Sequence, residues 1–189
     1  MSGKQAKILA ANHIGDLLLF AETTRYPLRD RVIVLLSVKA GLRAAEIANL
    51  TWEMVLDPEG GVSTLLELRD DAAKMGHGRV IPLHSDLRDA LTALKEAANC
   101  GQPVVLSERG RKMKARSIVI WFGRAYHAIG LDGCSSHSGR RTFITRAARL
   151  SIRRAAHCVM FNCSPVTDQS RPRKATSMVT AMRSGGWYL

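Results

Sequence analysis

Aromatic and acidic side chains are both scarce in this sequence, and each scarcity narrows the range of partners. Aromatic residues make up only 5% of the chain, which argues against a platform that stacks the bases of a single-stranded nucleic acid. Aspartate and glutamate number 16 against 28 lysines and arginines, so the formal net charge is +12. A surplus of this size favours a polyanion as partner, nucleic acid first, with binding led by phosphate contacts that weaken with salt.

Long apolar runs and a cysteine framework are missing as well. The run Val32–Leu36 is far shorter than the roughly 20 apolar residues that cross a bilayer, and the residues that follow Met1 do not open a signal peptide. The four cysteines include no CxxC pair, and no second pair of ligands would complete a metal site beside His157. We therefore expect a cytoplasmic protein that has neither a membrane segment nor a metal ion.

The spacing of apolar residues predicts a mainly α-helical protein with a small antiparallel β-sheet, an α+β fold. A chain of 189 residues is long enough for one complete hydrophobic core. Val62–Leu68 and Val80–Leu83 predict the two strands of a hairpin, and Pro103–Leu106 predicts a further short strand. Helices are predicted over Ala10–Glu22, Leu28–Ala40, Ser85–Ala98 and Ala115–Ile129, and again from Ser136 onward. Beyond about Ser151 the periodicity is lost, and neither helix nor strand is predicted.

The segment that follows Ser136 carries the first chemical signal. If it is helical, His137 and Arg140 lie three residues apart and share one face, while Phe143 and Ile144 turn towards the core. An imidazole can move a proton near neutral pH, and a guanidinium group matches the oxygens of a phosphate. The pair therefore suits a phosphate ligand, although a solvated basic helix start would carry the same residues.

A second signal lies between Gly41 and Trp52. Apolar residues there can face the core, which leaves Arg43 and Glu46 as a pair three residues apart on one helix. The pair is either an ordinary exposed ion pair, worth a few tenths of a kcal/mol, or a half-buried arginine that the glutamate orients at the lip of a pocket. A third basic residue, Lys74, is predicted near the tip of the hairpin, from which a long side chain can reach a ligand.

In their order and context, these three motifs resemble the catalytic domain of the tyrosine recombinase, or phage integrase, family. The segment Ala40–Trp52 resembles the one that bears the family's first catalytic arginine, matched by Arg43. The segment Lys74–Leu83 is similar to the hairpin that bears the catalytic lysine, matched by Lys74, and His137–Arg140 matches the family's His-x-x-Arg box. The resemblance covers about residues 25–150 and implies the fold of the DNA breaking-rejoining enzymes.

The resemblance also implies a chemistry. In the family a tyrosine attacks a DNA phosphodiester and forms a 3′-phosphotyrosyl link, which a 5′-hydroxyl later reverses. Arg43 and Arg140 would stabilise the charge of the transition state, His137 would transfer a proton and Lys74 would protonate the leaving oxygen. Glu46 would support Arg43. No cofactor is implied, because the covalent link conserves the bond.

The implied partner is double-stranded DNA, bound by a possible homo-oligomer, which predicts a nucleoid-associated location in the cytoplasm. Basic residues outside the central set are assigned to DNA contacts. These are Arg79, Arg111, Lys112, Lys114 and Arg141.

The sequence departs from the family after its His-x-x-Arg box. The family's Gly-His segment and its nucleophilic tyrosine have no match, and Tyr188 lacks the family's surroundings. A reading frame shifted by one base can, however, spell a Gly-His segment across Val166/Thr167 and a tyrosine across Ala175/Thr176, nine residues apart as in the family. We therefore expect residues 151–189 to be an out-of-frame tail.

The predicted organisation is an N-terminal helix over residues 1–24 without a full core-binding domain, a catalytic domain over residues 25–150, and the aberrant tail. The function predicted from the family is site-specific DNA recombination or integration, with strand cleavage lost in this sequence. The alternative is a catalytically inactive remnant that still binds DNA. An unrelated basic protein that binds nucleic acid or ribosomes is disfavoured by the set of motifs.

Overall fold

The structure, a computed structural model, describes residues 6–73, 76–97 and 103–160, with the backbone alone for residues 153–160. The chain divides into two units, Met1–Ile152 and Arg153–Leu189. The first unit contains the hydrophobic core and all the positions to which a site role is assigned.

Within the described ranges, six α-helices and one two-stranded sheet form the fold, and the predicted fold class is confirmed. The helices are α1 (Ala11–Glu22), α2 (Pro27–Lys39), α3 (Ala44–Asn49), α4 (Ser85–Ala97), α5 (Ala115–Ala128) and α6 (Ser138–Met160), and the strands are β1 (Leu65–Leu68) and β2 (Arg79–Pro82). A single 3₁₀ turn, Trp52–Met54, follows α3. None of the helices described is long and apolar enough to cross a membrane.

The hairpin is antiparallel, as predicted, and pairs Leu65 with Pro82 and Leu68 with Arg79. Its side chains alternate between the two faces: Leu66 and Leu68 are buried, whereas Leu65 is exposed. Alternation of this kind is expected for a sheet that packs one face on the core. Arg79 therefore lies in the last pair of the two strands, next to the hairpin loop.

Helix α2 occupies the centre of the core. Its residues from Val32 to Leu36 are fully buried, because α1 and α4 both pack against it. Its buried carboxylate, Asp30, accepts hydrogen bonds from Arg29 Nε at 2.7 Å and from Trp121 Nε1 at 3.0 Å. The second bond joins α2 to α5 and satisfies a polar group that would be costly to bury alone.

Helix α6 packs through its small residues. Ser138, Gly139 and Thr142 are buried, whereas Ile144, predicted to face the core, is 49% exposed. The prediction was wrong because the buried face of a helix repeats every three or four residues, and Ile144 lies about 200° around the axis from Thr142. Phe143 does turn inward and meets the backbone at Gly41.

Two other expectations also need correction. Pro103–Leu106 is not a strand, because only Pro103 and Leu106 make isolated bridges, with Thr51 and Lys112. The helix that was expected to end near Ser151 continues to Met160. Loss of an amphipathic pattern does not stop a helix, since each added residue contributes its own backbone hydrogen bond.

Candidate functional site

A single buried carboxylate, that of Glu46, organises the candidate site. Its side chain is fully buried on α3. One oxygen accepts the backbone N–H of Arg43 at 2.9 Å, and the other accepts Nη1 of the same residue at 3.0 Å. The glutamate therefore caps the start of its own helix and orients the arginine side chain, which stays one third exposed. The pair is therefore not an ordinary exposed ion pair: Arg43 is half-buried and Glu46 orients it.

The same carboxylate binds a second arginine from the hairpin. Nη1 and Nη2 of Arg79 lie 3.2 and 2.8 Å from the two oxygens of Glu46, a bidentate ion pair. Arg79 is 33 positions further along the chain and is brought here by the pairing of β2 with β1. Bidentate hydrogen bonds between an arginine and a carboxylate are among the strongest in proteins.

Arg140, from the first turn of α6, approaches the same group without binding it closely. Its Nη1 lies 4.0 Å from Glu46 Oε2 and donates instead to the carbonyl oxygen of Gly41, a short contact. The side chain is 23% exposed. Two guanidinium groups that the sequence separates by 97 residues, those of Arg43 and Arg140, thus meet at one buried carboxylate.

Two glycines make this approach possible. Gly41 ends α2 with φ +64°, and a Cβ there would lie 2.4 Å from Cδ1 of Phe143. A Cβ on Gly139 would lie 2.2 Å from Oγ of Ser37, so only glycine lets α6 come this close to α2. The backbone of the first turn of α6 at Gly139 therefore packs directly against Ser37 of α2.

A buried threonine fixes the same helix to the segment ahead of α1. Thr142 Oγ1 accepts the backbone N–H of Leu9 at 2.8 Å and donates to the carbonyl of Ser138, also at 2.8 Å. Both groups of the hydroxyl are thus satisfied in the core. The N-terminal segment helps to hold the helix that carries Arg140.

The electrostatics of the site are those of one anion among three cations. Burial tends to raise the pKa of Glu46, but hydrogen bonds from Arg79 and Arg43 and the charge of Arg79 outweigh it and hold the pKa at about 2. Burial lowers the pKa of Arg140, and so does the positive charge of Arg43, whereas Glu46 opposes the change. Glu46 is therefore ionised at neutral pH, and the site keeps an excess of positive charge that an anion would relieve.

Of the remaining predicted residues, His137 is described and Lys74 is not. His137 is exposed and directly precedes α6, where its carbonyl accepts the N–H of Arg141 at 3.0 Å. The imidazole therefore faces solvent and not the core. Lys74 lies outside the described residues, as does Tyr188.

Three other predicted basic residues are exposed in the loop between α4 and α5. Arg111, Lys112 and Lys114 follow a tight turn at Gly110, whose φ is +68°. In the described part of the chain none of the three has an ion-pair partner. Lys112 and Lys114 border a groove of about 390 Å³ that α3 lines with Ala45 and other residues.

Sequence reasoning missed two features of the site. It did not indicate that Arg79, predicted to contact DNA, binds Glu46 through its guanidinium group. Nor did it indicate that the carbonyl of Gly41 accepts a hydrogen bond from Arg140. Neither partner is within four residues in the sequence, so no local pattern could have indicated them. His, Cys, Asp and Glu side chains nowhere gather in threes that could hold a metal ion within the described ranges.

The two tyrosines described are not placed as free nucleophiles. Tyr126 is 1% exposed, burial raises the pKa of its hydroxyl, and that hydroxyl has no hydrogen-bond partner in the described residues. Tyr26 lies with its ring under the guanidinium group of Arg29, 4.5 Å from ring centroid to Cζ. Tyr126 is therefore part of the hydrophobic core.

Comparison with known proteins now identifies the class to which this fold and site belong. Residues 7–155 match the phage integrase family, and the match includes α1 as well as the three motifs. The chain belongs to the phage integrase family, as the resemblance of its motifs predicted. No curated protein sequence matches it.

Solved structures of tyrosine recombinases share the fold. XerA recombinase superposes with a TM-score of 0.62 at 18% identity, over 75% of this chain and 50% of that one. A lambda integrase dimer bound to a COC′ core site gives 0.61 at 23% identity, over 76% and 41%. The Tn1549 transposon integrase, in complex with transposon right end DNA, gives 0.62 at 20%, over 79% and 55%. This chain therefore spans about half the length of the proteins it matches.

Proposed function

We propose that this chain acts on double-stranded DNA as the catalytic part of a site-specific recombinase of the integrase type, and that in this sequence it binds a DNA phosphodiester without cleaving it. The observation that carries the proposal is the meeting of Arg43 and Arg140 at Glu46. Both arginine side chains are partly exposed, 33% for Arg43 and 23% for Arg140, which suits donation by both to one phosphate.

The proposed roles follow from the chemistry of phosphoryl transfer. Arg43 and Arg140 bind the non-bridging oxygens of the phosphate and stabilise the charge that develops on them. Removing one preorganised donor of this kind typically costs about 3–4 kcal/mol of barrier. His137, exposed three residues ahead of Arg140, is the proton carrier, and Lys74 is the acid for the leaving 5′ oxygen; both roles follow from their match to the family motifs.

The surrounding surface supports a duplex as partner. Arg111, Lys112 and Lys114 are exposed and unpaired within the described residues, which suits contacts to DNA phosphates on either side of the reacting one. Arg141 is proposed as a further DNA contact on the same helix as Arg140. Lambda integrase is solved as a dimer and as a tetramer on DNA, and we propose that this chain likewise assembles on DNA, in the cytoplasm at the nucleoid.

The loss of cleavage rests on the missing nucleophile. The family's tyrosine has no matching position in this sequence, and a missing nucleophile alone lowers a rate by as much as about a millionfold. The frameshift hypothesis explains how the arginines and the histidine persist beside a lost tyrosine. Sequencing the gene tests it: a shifted frame without the Gly-His segment and the tyrosine would contradict it.

A selection followed by a trapping assay tests the function. Duplexes recovered from a random pool by binding at low salt are remade with a nick, so that any covalent adduct is trapped. We expect a salt-sensitive shift in a gel and no adduct after denaturation. R140A should weaken the shift, whereas R31A, which removes an exposed arginine paired with Glu22, serves as a matched control. An adduct would overturn the loss of cleavage, and the absence of any shift would overturn DNA binding.

A further inference from the structure

Arg79 is already engaged in an ion pair within the protein. It opens β2 opposite Leu68, and its side chain is about one third exposed. Both of its terminal nitrogens already bind the two oxygens of Glu46. The exposed lysines Lys112 and Lys114, by contrast, have no such partner in the described part of the chain.

Glu46 has more candidate partners than it can bind at close range. The charged groups that face it within the described residues are Arg43 ahead of α3, Arg79 on β2 and Arg140 on α6. Arg43 and Arg79 lie within 3.2 Å of its oxygens, whereas Arg140 is held at 4.0 Å. Arg140 is therefore the cation that the carboxylate leaves uncompensated.

We propose that Arg79 is a positioning residue that occupies Glu46 and thereby keeps the guanidinium group of Arg140 free for a DNA phosphate. The inference rests on the proposed function, because it assigns the freed charge to the phosphate of that site. Without Arg79, the buried carboxylate loses its bidentate partner. Arg43 is already bound to it, so the next cation within reach is Arg140 at 4.0 Å, and a buried charge takes the partner that is available. The carboxylate then competes with the phosphate for the same donors.

This proposal predicts an unusual pattern in a double-mutant cycle. R79M should weaken binding to the selected duplex by about tenfold or more, the size typical of directly coupled residues. The double variant R79M/E46Q should recover part of that loss, because no carboxylate remains to capture Arg140. The slope of log affinity against log salt should fall by about 1 in R79M and return in the double variant. R79K, which retains a cation opposite Glu46, should bind more tightly than R79M.

A direct phosphate contact by Arg79 would behave differently. Removing Glu46 could not restore a contact that Arg79 itself makes, so the salt slope of R79M/E46Q would stay low. That result would overturn the proposal. Circular dichroism and thermal unfolding of each variant identify those that fold, and if R79M does not, the comparison of R79Q with R79Q/E46Q takes its place, because glutamine also removes the cation opposite Glu46.

A measurement without DNA separates failure of this inference from failure of the proposed function. The ¹⁵Nε resonance of Arg140 is followed in the full-length protein, free and with inorganic phosphate as the probe. We expect R79M to shift this resonance in the free protein and to reduce its response to phosphate. A resonance that is unchanged in R79M would overturn the inference, even if the wild-type chain binds DNA. If the wild-type chain binds no DNA, the proposed function fails and this experiment still decides the role of Arg79.

Discussion

Replacing Glu46 by glutamine tests the reasoning about the site most directly, because it keeps the shape of the side chain and removes only its charge. The side chain is fully buried, and the hydrogen bonds from Arg79 and Arg43 hold its pKa at about 2 against an ordinary value of 4.5. That gap corresponds to about 3 kcal/mol of stability at neutral pH. E46Q should therefore lower the free energy of unfolding by about 3 kcal/mol at pH 7, since three guanidinium groups then lack their shared anion.

The pH dependence of this loss gives the sharper test. A carboxyl group whose pKa is lowered on folding contributes its stability above the ordinary pKa and loses it as the pH falls through the lowered value. Wild type should therefore lose this contribution progressively between pH 4.5 and about pH 2, whereas E46Q has none to lose. The difference between the two proteins should shrink over that range.

Urea unfolding followed by circular dichroism at several pH values measures both quantities. E53Q is the matched control, because Glu53 pairs with Arg69 at 2.9 Å where both side chains are more than half exposed. Exposed pairs of this kind contribute less than about 1 kcal/mol. An E46Q protein that is as stable as E53Q at pH 7, or a difference between E46Q and wild type that stays constant down to pH 3, would refute the reasoning.

Three further predictions concern the packing and the DNA surface. G41A should destabilise the fold by at least about 2 kcal/mol in urea unfolding, because φ is +64° and a Cβ would overlap the ring of Phe143; a stability equal to wild type would contradict the described contact. T142V should cost about 1–3 kcal/mol in the same assay by leaving a buried N–H without an acceptor, and a neutral effect would show that this bond is dispensable. K112A and K114A should each reduce the salt slope of DNA binding by about 1 and weaken all duplex sequences alike, whereas loss of affinity for one sequence only would assign them to base recognition.

Local patterns in the sequence predicted much of this fold correctly. The helical repeat located α1, α2, α4 and α5 to within one or two residues at the ends, and alternation located the hairpin. The capping relation between Arg43 and Glu46 was also accessible, because its two members are three residues apart on one helix turn. The three motifs together identified the family.

The same patterns failed where burial or strand pairing depends on which residues of another element pack against the segment. Ile144 is apolar and was expected inside, but α6 meets the core through Gly139 and Thr142. Pro103–Leu106 has the composition of a strand, yet within the described residues it makes only single bridges at its two ends. A strand needs a partner along its whole length, and the composition of one segment does not supply it.

The sequence by itself determined which residues could take part in this site: a helix-capping glutamate, an arginine beside it, and a histidine and an arginine at the start of another helix. Only the tertiary structure decided which of the cations Glu46 binds. Arg79 reaches the carboxylate because β2 pairs with β1. Arg140 stays 4.0 Å from the carboxylate because it binds the carbonyl of Gly41 and because α6 packs closely on α2. Helical and strand periodicities relate residues only a few positions apart, whereas a buried charge is compensated by whatever cation folding brings within hydrogen-bond distance.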